Sequence, residues 1–286
     1  MRPPARVRPR PDPLRALDHP AVVVALLTPF GRDGRLDAAA LRDHVEHLVE
    51  ERVDGLMPCG TTGEGPLLSE GEVAAVVATV VDASRGRVPV LAHVGRADTP
   101  ATVRLARRAL ADGADGLSAV VPYYYALDGA QIVAHFRALI EAADGKPVYA
   151  YTIPARTGNE LSVDAARSLG RDGLRGVKDS TKSFERHRQY LETGLDVLMG
   201  SDGMVARALA AGAAGCVSAL ANVRPDLLRR LKEAAAAGRD DDASAAQDEL
   251  SALRAELSHG PPLVGLKRAA SERFPGYRST LRAPLG

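Results

Sequence analysis

The sequence predicts an α/β chain folded as a (β/α)8 TIM barrel with additional C-terminal helices. Eight short apolar runs alternate with longer amphipathic stretches in one continuous register, which is the pattern of a closed parallel barrel. The 286 residues suit one such barrel plus a helical extension, since barrels run to roughly 250 residues as a single unit. The rival is a doubly wound sheet, which usually has fewer strands, and no GxGxxG follows the first run.

The strand-like runs are Ala21–Leu27, Gly55–Cys59, Val88–Val94, Gly116–Val121, Pro147–Ile153, Leu174–Lys178, Asp196–Gly200 and Gly215–Leu220. Each is apolar at successive positions and most are rich in β-branched residues, as expected of parallel strands buried on both faces. Helical stretches between them include Asp37–Glu51, Ser69–Ala83, Thr99–Gly113 and Asp202–Gly212. Several open on Ser, Thr or Asp, which can cap free amides, and several close on Gly. Thr99-Pro100 places proline in the first turn, where its missing N–H costs nothing. Past the eighth run come Ala221–Gly238, Asp241–Gly260 and a last stretch opening Pro261-Pro262, all read as extra helices. The expected division is a weakly ordered Arg/Pro-rich tail at 1–20, a barrel at 21–222 and packed helices at 223–286. No repeat beyond the βα unit is visible.

Composition excludes several classes. With 37 basic against 36 acidic residues the formal charge is +1, whereas a nucleic-acid binder normally carries a strong basic excess. The run Ala21–Leu27 is far short of the roughly 20 apolar residues of a membrane-spanning helix. The first twenty residues have no apolar h-region and do not read as a secretory signal. Cys59 and Cys216 form no CxxC pair and no disulfide framework, so the expected compartment is a reducing cytosol.

In such a barrel the active site is built at the C-terminal ends of the strands. The second run leads into Gly60-Thr61-Thr62-Gly63-Glu64-Gly65, the fourth into Pro122-Tyr123-Tyr124-Tyr125, and the fifth ends at Tyr151-Thr152-Ile153-Pro154 followed by Ala155-Arg156-Thr157-Gly158. The sixth ends on Lys178. Lysine is scarce, with Lys146, Lys178, Lys182, Lys232 and Lys267 against an arginine majority, so a lysine closing an apolar strand is notable. Desolvation there disfavours an ammonium, and a neutral amine can attack a ketone to form a Schiff base. Tyr151 on the neighbouring strand can shuttle the proton. The alternative is a lysine paired with a carboxylate at the barrel rim, and position alone does not separate the two.

The remaining features also admit two readings each. The Gly-Thr turn suits a carboxylate or phosphate, or is simply a tight βα turn capped by threonine. The tyrosine trio belongs to the mouth or to an interface. Arg156 is a fork-shaped donor beside the mouth or a solvated arginine. His44 and His47 are expected to be solvated on a surface helix, and His93 to be a hydrogen-bonded rim residue rather than a metal ligand. A phosphate site is conceivable at Gly200-Ser201-Asp202-Gly203, although Asp202 would repel the anion.

Taken in order, GTTGEG, PYY, YTIPARTG, GVKDST and GSD resemble the dihydrodipicolinate synthase / N-acetylneuraminate lyase family of pyruvate-handling class I aldolases. The resemblance covers nearly the whole chain from Ala21. It implies Lys178 as the Schiff-base lysine and Tyr151 as its proton-transfer partner. Thr61 and Tyr124 would complete a hydroxyl relay, with Tyr124 reaching across a tight dimer interface. Thr62 would hold the pyruvate carboxylate, and Gly60, Gly63, Arg156, Gly200 and Val217 would line the substrate site. Homodimers or homotetramers are implied, with no cofactor and no metal. The partners are small molecules, pyruvate and an aldehyde, with neither nucleic acid nor membrane.

Arg156 resembles the 4-hydroxy-tetrahydrodipicolinate synthase branch, where this arginine grips the carboxylate of aspartate semialdehyde. The motifs GTTGEGPLLS, PYYY and GVKDS also resemble 2-keto-3-deoxy sugar-acid aldolases, and an N-acetylneuraminate lyase-like activity belongs to the same alternative. Thr152 departs from the family's Tyr-Asn-x-Pro. In lysine-regulated synthases a pocket binds the inhibitor, and the matching Gly65, Glu70, Val73, Ala97 and Ala101 are poorly suited to hold it. Many relatives continue for another helix, whose absence here is expected to alter tetramer contacts more than chemistry. A reading of another class is a non-catalytic barrel that binds a keto acid, which would be expected to have lost Lys178 or Tyr151.

Overall fold

The computed structural model describes residues 20–258 and 262–286, so the sequence reading of a tail at 1–20 falls outside it apart from Pro20. Eight parallel strands follow in the expected order: β1 (Ala21–Ala25), β2 (Gly55–Met57), β3 (Leu91–His93), β4 (Gly116–Val120), β5 (Val148–Thr152), β6 (Gly176–Asp179), β7 (Asp196–Met199) and β8 (Gly215–Ser218). The ladder runs β2-β1-β8-β7-β6-β5-β4-β3. A parallel bridge between Leu56 and Val90 joins β2 to the approach of β3, so the sheet curls back on itself as a nearly closed barrel. Each strand is shorter than its apolar run, because the flanking residues leave the ladder to enter turns while staying buried or half-buried.

Alternation along each strand sends side chains inward and outward. The inward set of Ala21, Val23, Ala25, Met57, Leu91, Tyr149, Leu198 and Val217 fills the barrel as its own cluster. The outward set packs against helices in a larger layer containing Val22, Val24, Leu56, Leu117, Ala150 and Val177. Both faces of the strands are therefore covered, and polar strand residues such as His93, Ser118, Thr152 and Lys178 are buried as well.

The helices are α1 (Ala38–Glu50), α2 (Glu70–Ser84), α3 (Thr99–Ala111), α4 (Gly129–Ala142), α5 (Pro154–Thr157), α6 (Val163–Arg171), α7 (Phe184–Leu191), α8 (Val205–Ala210), α9 (Pro225–Ala236), α10 (Asp240–Leu257) and α11 (Pro262–Arg273). Side chains of Asp37, Ser69, Asp98, Asp128, Ser162 and Ser183 accept a first-turn amide of α1, α2, α3, α4, α6 and α7. Such a cap is worth about 1 kcal/mol. The predicted Asp202–Gly212 helix opens as a 3-10 turn, Asp202–Met204, before α8. The sequence reading assigned no element at the one-turn α5; Pro154 starts it and Gly158, left-handed at φ 73°, ends it.

Three lengths of helix follow β8 as expected, and α10 packs on both α9 and α11. His44 corrects the expectation of a solvated histidine. It is buried, its Nε2 lies 3.1 Å from Asn222 Oδ1, and its ring meets Phe274 and Tyr277. Residues after α11 fold over α1, turning its outer face into an interior. Burial lowers His44 to about 4, so it stays neutral. His47 is half-buried against the same Phe274 ring.

Candidate active site

Lys178 and Tyr151 are register partners on β6 and β5, so both project inward at the C-terminal end of the barrel. Lys178 is buried at 4% exposure, and its Nζ lies 3.8 Å from the centroid of the Tyr151 ring. The face of that ring attracts an ammonium but offers no proton acceptor in its plane.

Two more lysines are buried, which the sequence did not reveal. Lys232 pairs with Asp54 at 2.5 Å and Lys267 with Glu64 at 2.5 Å. Lys178 differs: among the described residues no carboxylate pairs with it. The adjacent Asp179 points the other way, accepting from Thr181 N and lying 3.0 Å from His187 Nδ1. The rim ion pair weighed as the alternative for Lys178 is therefore not formed among the described residues. Lys146 and Lys182 are exposed.

His93, at the end of β3, is buried, and its Nε2 accepts the Val120 backbone N–H at 3.1 Å. Burial first, and the positive charge of Lys178 second, lower it to about 3. The ring is thus a neutral imidazole standing edge-on to Tyr151, with centroids 6.1 Å apart. This is the hydrogen-bonded residue the sequence suggested.

The Gly60–Gly65 turn closes the mouth over β2. Glu64 N donates to Thr61 O and Gly65 N to Gly60 O. The amides of Thr61, Thr62 and Gly63 donate to nothing among the described residues, leaving consecutive N–H groups of the kind that cradle an anion. Thr62 is buried and Thr61 half-buried. A Cβ at Gly60 would meet only open space, whereas one at Gly63 would come within 2.8 Å of Leu26 O. Packing on the end of β1 thus already accounts for glycine at 63, without a ligand. Thr28 Oγ1 adds a 2.7 Å bond to Gly63 O.

Other predicted residues surround this centre at different depths. Val217 is buried within the inner cluster. Gly200 follows β7, and a Cβ there would come within 2.1 Å of Ser180 Oγ. Arg156 is exposed on α5, one turn beyond the end of β5. Tyr124 is 84% exposed, left-handed at φ 82°, and packs edge-on with the exposed Tyr125 at 5.1 Å. No hydrogen bond among the described residues joins Thr61, Tyr124 and Tyr151, so the relay is not assembled within one chain. Asp202 turns its carboxylate toward the backbone N–H of Leu220, and burial raises its pKa.

Thr152 is fully buried and its Oγ1 accepts Leu161 N at 3.4 Å, so the departure from Tyr-Asn-x-Pro faces the helical layer. Asn159 was not legible as a functional residue in the sequence. Its Nδ2 donates to Pro122 O and Tyr125 O, and its Oδ1 accepts Leu127 N, bracing the loop that carries the tyrosines. Its only signal was an amide side chain just past a glycine stop.

The described residues contain no group of three or more His, Cys, Asp or Glu that could hold a metal ion, and no helix long and apolar enough to cross a membrane. Cys59 and Cys216 are buried free thiols, both raised by burial, Cys59 to about 12.

Comparison with known proteins places these features in context. The model of the dihydrodipicolinate synthetase family matches residues 19–286. An uncharacterized DapA-like lyase of Halobacterium salinarum is 43% identical over 92% of this chain and 87% of its own length. The 4-hydroxy-tetrahydrodipicolinate synthase of Rhizobium meliloti is 38% identical over 92% of this chain and 91% of its own. Among solved structures, dihydrodipicolinate synthase from Aquifex aeolicus superposes with a TM-score of 0.89 at 31% identity, covering 94% of this chain and 92% of that one. A variant of Sulfolobus solfataricus 2-keto-3-deoxygluconate aldolase superposes with a TM-score of 0.86 at 27% identity, covering 93% and 89%.

Proposed function

The chain belongs to the dihydrodipicolinate synthetase family and is a lyase, and from that premise we propose that it is a Schiff-base-forming pyruvate aldolase of the 4-hydroxy-tetrahydrodipicolinate synthase type. The observation that carries this reading is a buried Lys178 with no carboxylate partner among the described residues, held over the ring of Tyr151 at the C-terminal mouth.

The Lys178 amine attacks the C2 ketone of pyruvate to give a carbinolamine, and loss of water leaves the iminium. The iminium draws electrons from C3, so a methyl proton leaves and the enamine forms. The enamine carbon adds to the carbonyl carbon of an aldehyde, whose oxygen takes up a proton, and water or an internal amine then releases the lysine. Tyr151 moves the protons, with Thr61 and the Tyr124 of a second copy extending the relay. The high exposure of Tyr124 and Tyr125 supports such a pairing of chains, as a homodimer or a tetramer of two dimers. The amides of Thr61, Thr62 and Gly63 and the hydroxyls of Thr61 and Thr62, unpaired among the described residues, suit the keto-acid carboxylate. Gly60 leaves room beside them, and Gly200 and Val217 shape the walls. The iminium is the electron sink, so no cofactor or metal is called for.

The aldehyde is assigned as aspartate semialdehyde on Arg156, a free bidentate donor at the rim suited to a second carboxylate. The likeness to 2-keto-3-deoxygluconate aldolase favours a second reading, in which the same enamine adds to a sugar-derived aldehyde. The buried free thiols suit a reducing compartment such as the cytosol. The test of the core reading is borohydride reduction in the presence of pyruvate, followed by intact mass. A pyruvate adduct that disappears in Lys178→Ala is expected; no adduct, or one indifferent to that substitution, rejects it. Initial rates with the two aldehyde classes then decide the branch.

A further inference from the structure

The fully buried Lys267–Glu64 ion pair lies beside the anion-binding turn. Glu64 directly follows Thr61, Thr62 and Gly63, and its backbone is left-handed at φ 56°, a conformation that costs energy for a residue with a side chain. Its carboxylate is buried. Oε1 lies 2.5 Å from Lys267 Nζ, and Oε2 accepts the Arg282 backbone N–H at 2.8 Å. Lys267, on α11, also donates to Thr280 O at 2.8 Å. Burial pulls its ammonium down from the usual lysine range while Glu64 opposes that shift.

Arg282 extends the arrangement to both loops at this side of the mouth. Its guanidinium grips Glu72 of α2 with two bonds of 2.7 Å and donates to Leu67 O and to Gly34 O. Lys267 Nζ and Arg282 Cζ lie 4.2 Å and 4.7 Å from the centroid of the Phe30 ring. The segment after α11 thus clasps the β1–α1 loop, the Gly60–Gly65 turn and the start of α2. A buried ion pair adds little net stability compared with apolar residues of similar volume, so stability alone is a poor reason for this cluster. What it does fix is one backbone geometry in the residue that closes the turn.

We propose that Glu64, Lys267 and Arg282 are positioning residues that hold the Thr61-Thr62-Gly63 turn in its anion-binding shape, making the segment after α11 part of the keto-acid site. This rests on the reading that the turn receives the carboxylate of a keto acid reacting at Lys178. None of the three touches the reacting atoms, so their removal weakens capture of the keto acid rather than its chemistry once bound.

The experiment is the pyruvate dependence of borohydride trapping, read by intact mass, in the parent chain, Glu64→Gln, Arg282→Gln and Leu250→Ala. Leu250 is buried on α10 and belongs to none of the hydrogen bonds or ion pairs that join Glu64, Lys267 and Arg282, so its variant reports what lost stability alone does. Glu64→Gln and Arg282→Gln are expected to raise the half-saturating pyruvate at least fivefold while the adduct yield at saturation stays near the parent's. Arg282→Lys, which keeps the charge, should recover part of the loss, and Leu250→Ala should leave half-saturation unchanged. Half-saturation within twofold of the parent in folded Arg282→Gln overturns the proposal, even if Glu64→Gln fails to fold. Equal shifts in Leu250→Ala overturn it too. A parent chain that forms no adduct at any pyruvate concentration instead removes the keto-acid reading itself, and this inference with it.

Discussion

Replacing Tyr151 by phenylalanine separates the two roles that its position allows. The ring packs under Lys178 Nζ at 3.8 Å and beside His93, and phenylalanine preserves both contacts. A cation over an aromatic face is worth about 0.5–2 kcal/mol, and Phe keeps a similar quadrupole, so little packing energy is lost. The Tyr151 hydroxyl makes no hydrogen bond among the described residues, so its removal leaves no buried partner unsatisfied. Thermal stability should therefore stay within about 1 kcal/mol of the parent. Proton transfer is another matter: a positioned acid–base group contributes roughly 10²- to 10⁴-fold, or about 3–5 kcal/mol of barrier. Tyr151→Phe is expected to lower kcat by that factor while the pyruvate adduct still forms, more slowly, at Lys178. Turnover and single-turnover trapping, with a melt alongside, measure the three quantities. Turnover within threefold of the parent would refute a proton-shuttling role and leave Tyr151 as packing.

Other consequences are equally direct. His44, His93 and His135 are held near 4, 3 and 4 by burial, against 6.5 when unfolded. The unfolded chain therefore binds more protons below pH 6.5, so stability present above that pH is lost as pH falls toward 4. The slope is about 1.4 kcal/mol per pH unit for each histidine, or about 4 for the three; denaturant melts at several pH values measure it, and His135→Gln should reduce it by about a third. A second acid-labile contribution comes from Glu72, which Arg282 holds at about 2 against an ordinary 4.5. Its stabilisation is complete above pH 4.5 and disappears as pH falls through 2, so parent and Glu72→Gln melts should converge there. Arg156→Ala should raise KM for aspartate semialdehyde about tenfold or more with little change in the pyruvate KM, since a charge-assisted hydrogen bond to one substrate is worth about 1.5–3 kcal/mol. Lysine at micromolar levels should not inhibit, because Val73 and Ala101 are buried and Glu70 is engaged by Arg104.

The strands were legible because parallel strands buried on both faces appear as unbroken apolar runs, and the helix starts because Asp37 and Ser69 advertise their caps and Thr99-Pro100 its first turn, although the cap there is Asp98. Lys178 stood out because, of the five lysines, it alone ends such a run. What the sequence hid were contacts between residues far apart along the chain. His44 looks like a surface residue on α1 until Phe274 and Tyr277 cover it. Lys267 sits in an ordinary amphipathic segment, and only the return of Arg282 over Glu64 makes that segment an interior. Asn159 gives no local sign that it braces the tyrosine loop. The glycine at 63 looked like room for a ligand but is required by packing on Leu26 O.

The central claim is that Lys178 carries the chemistry, and the most direct measurement is the mass of the chain after borohydride reduction with and without pyruvate. One reduced pyruvate adduct per chain, mapping to the peptide that contains Lys178 and absent in Lys178→Ala, is the predicted result. An unmodified chain, or an adduct located on Lys232 or Lys267 instead, would contradict it.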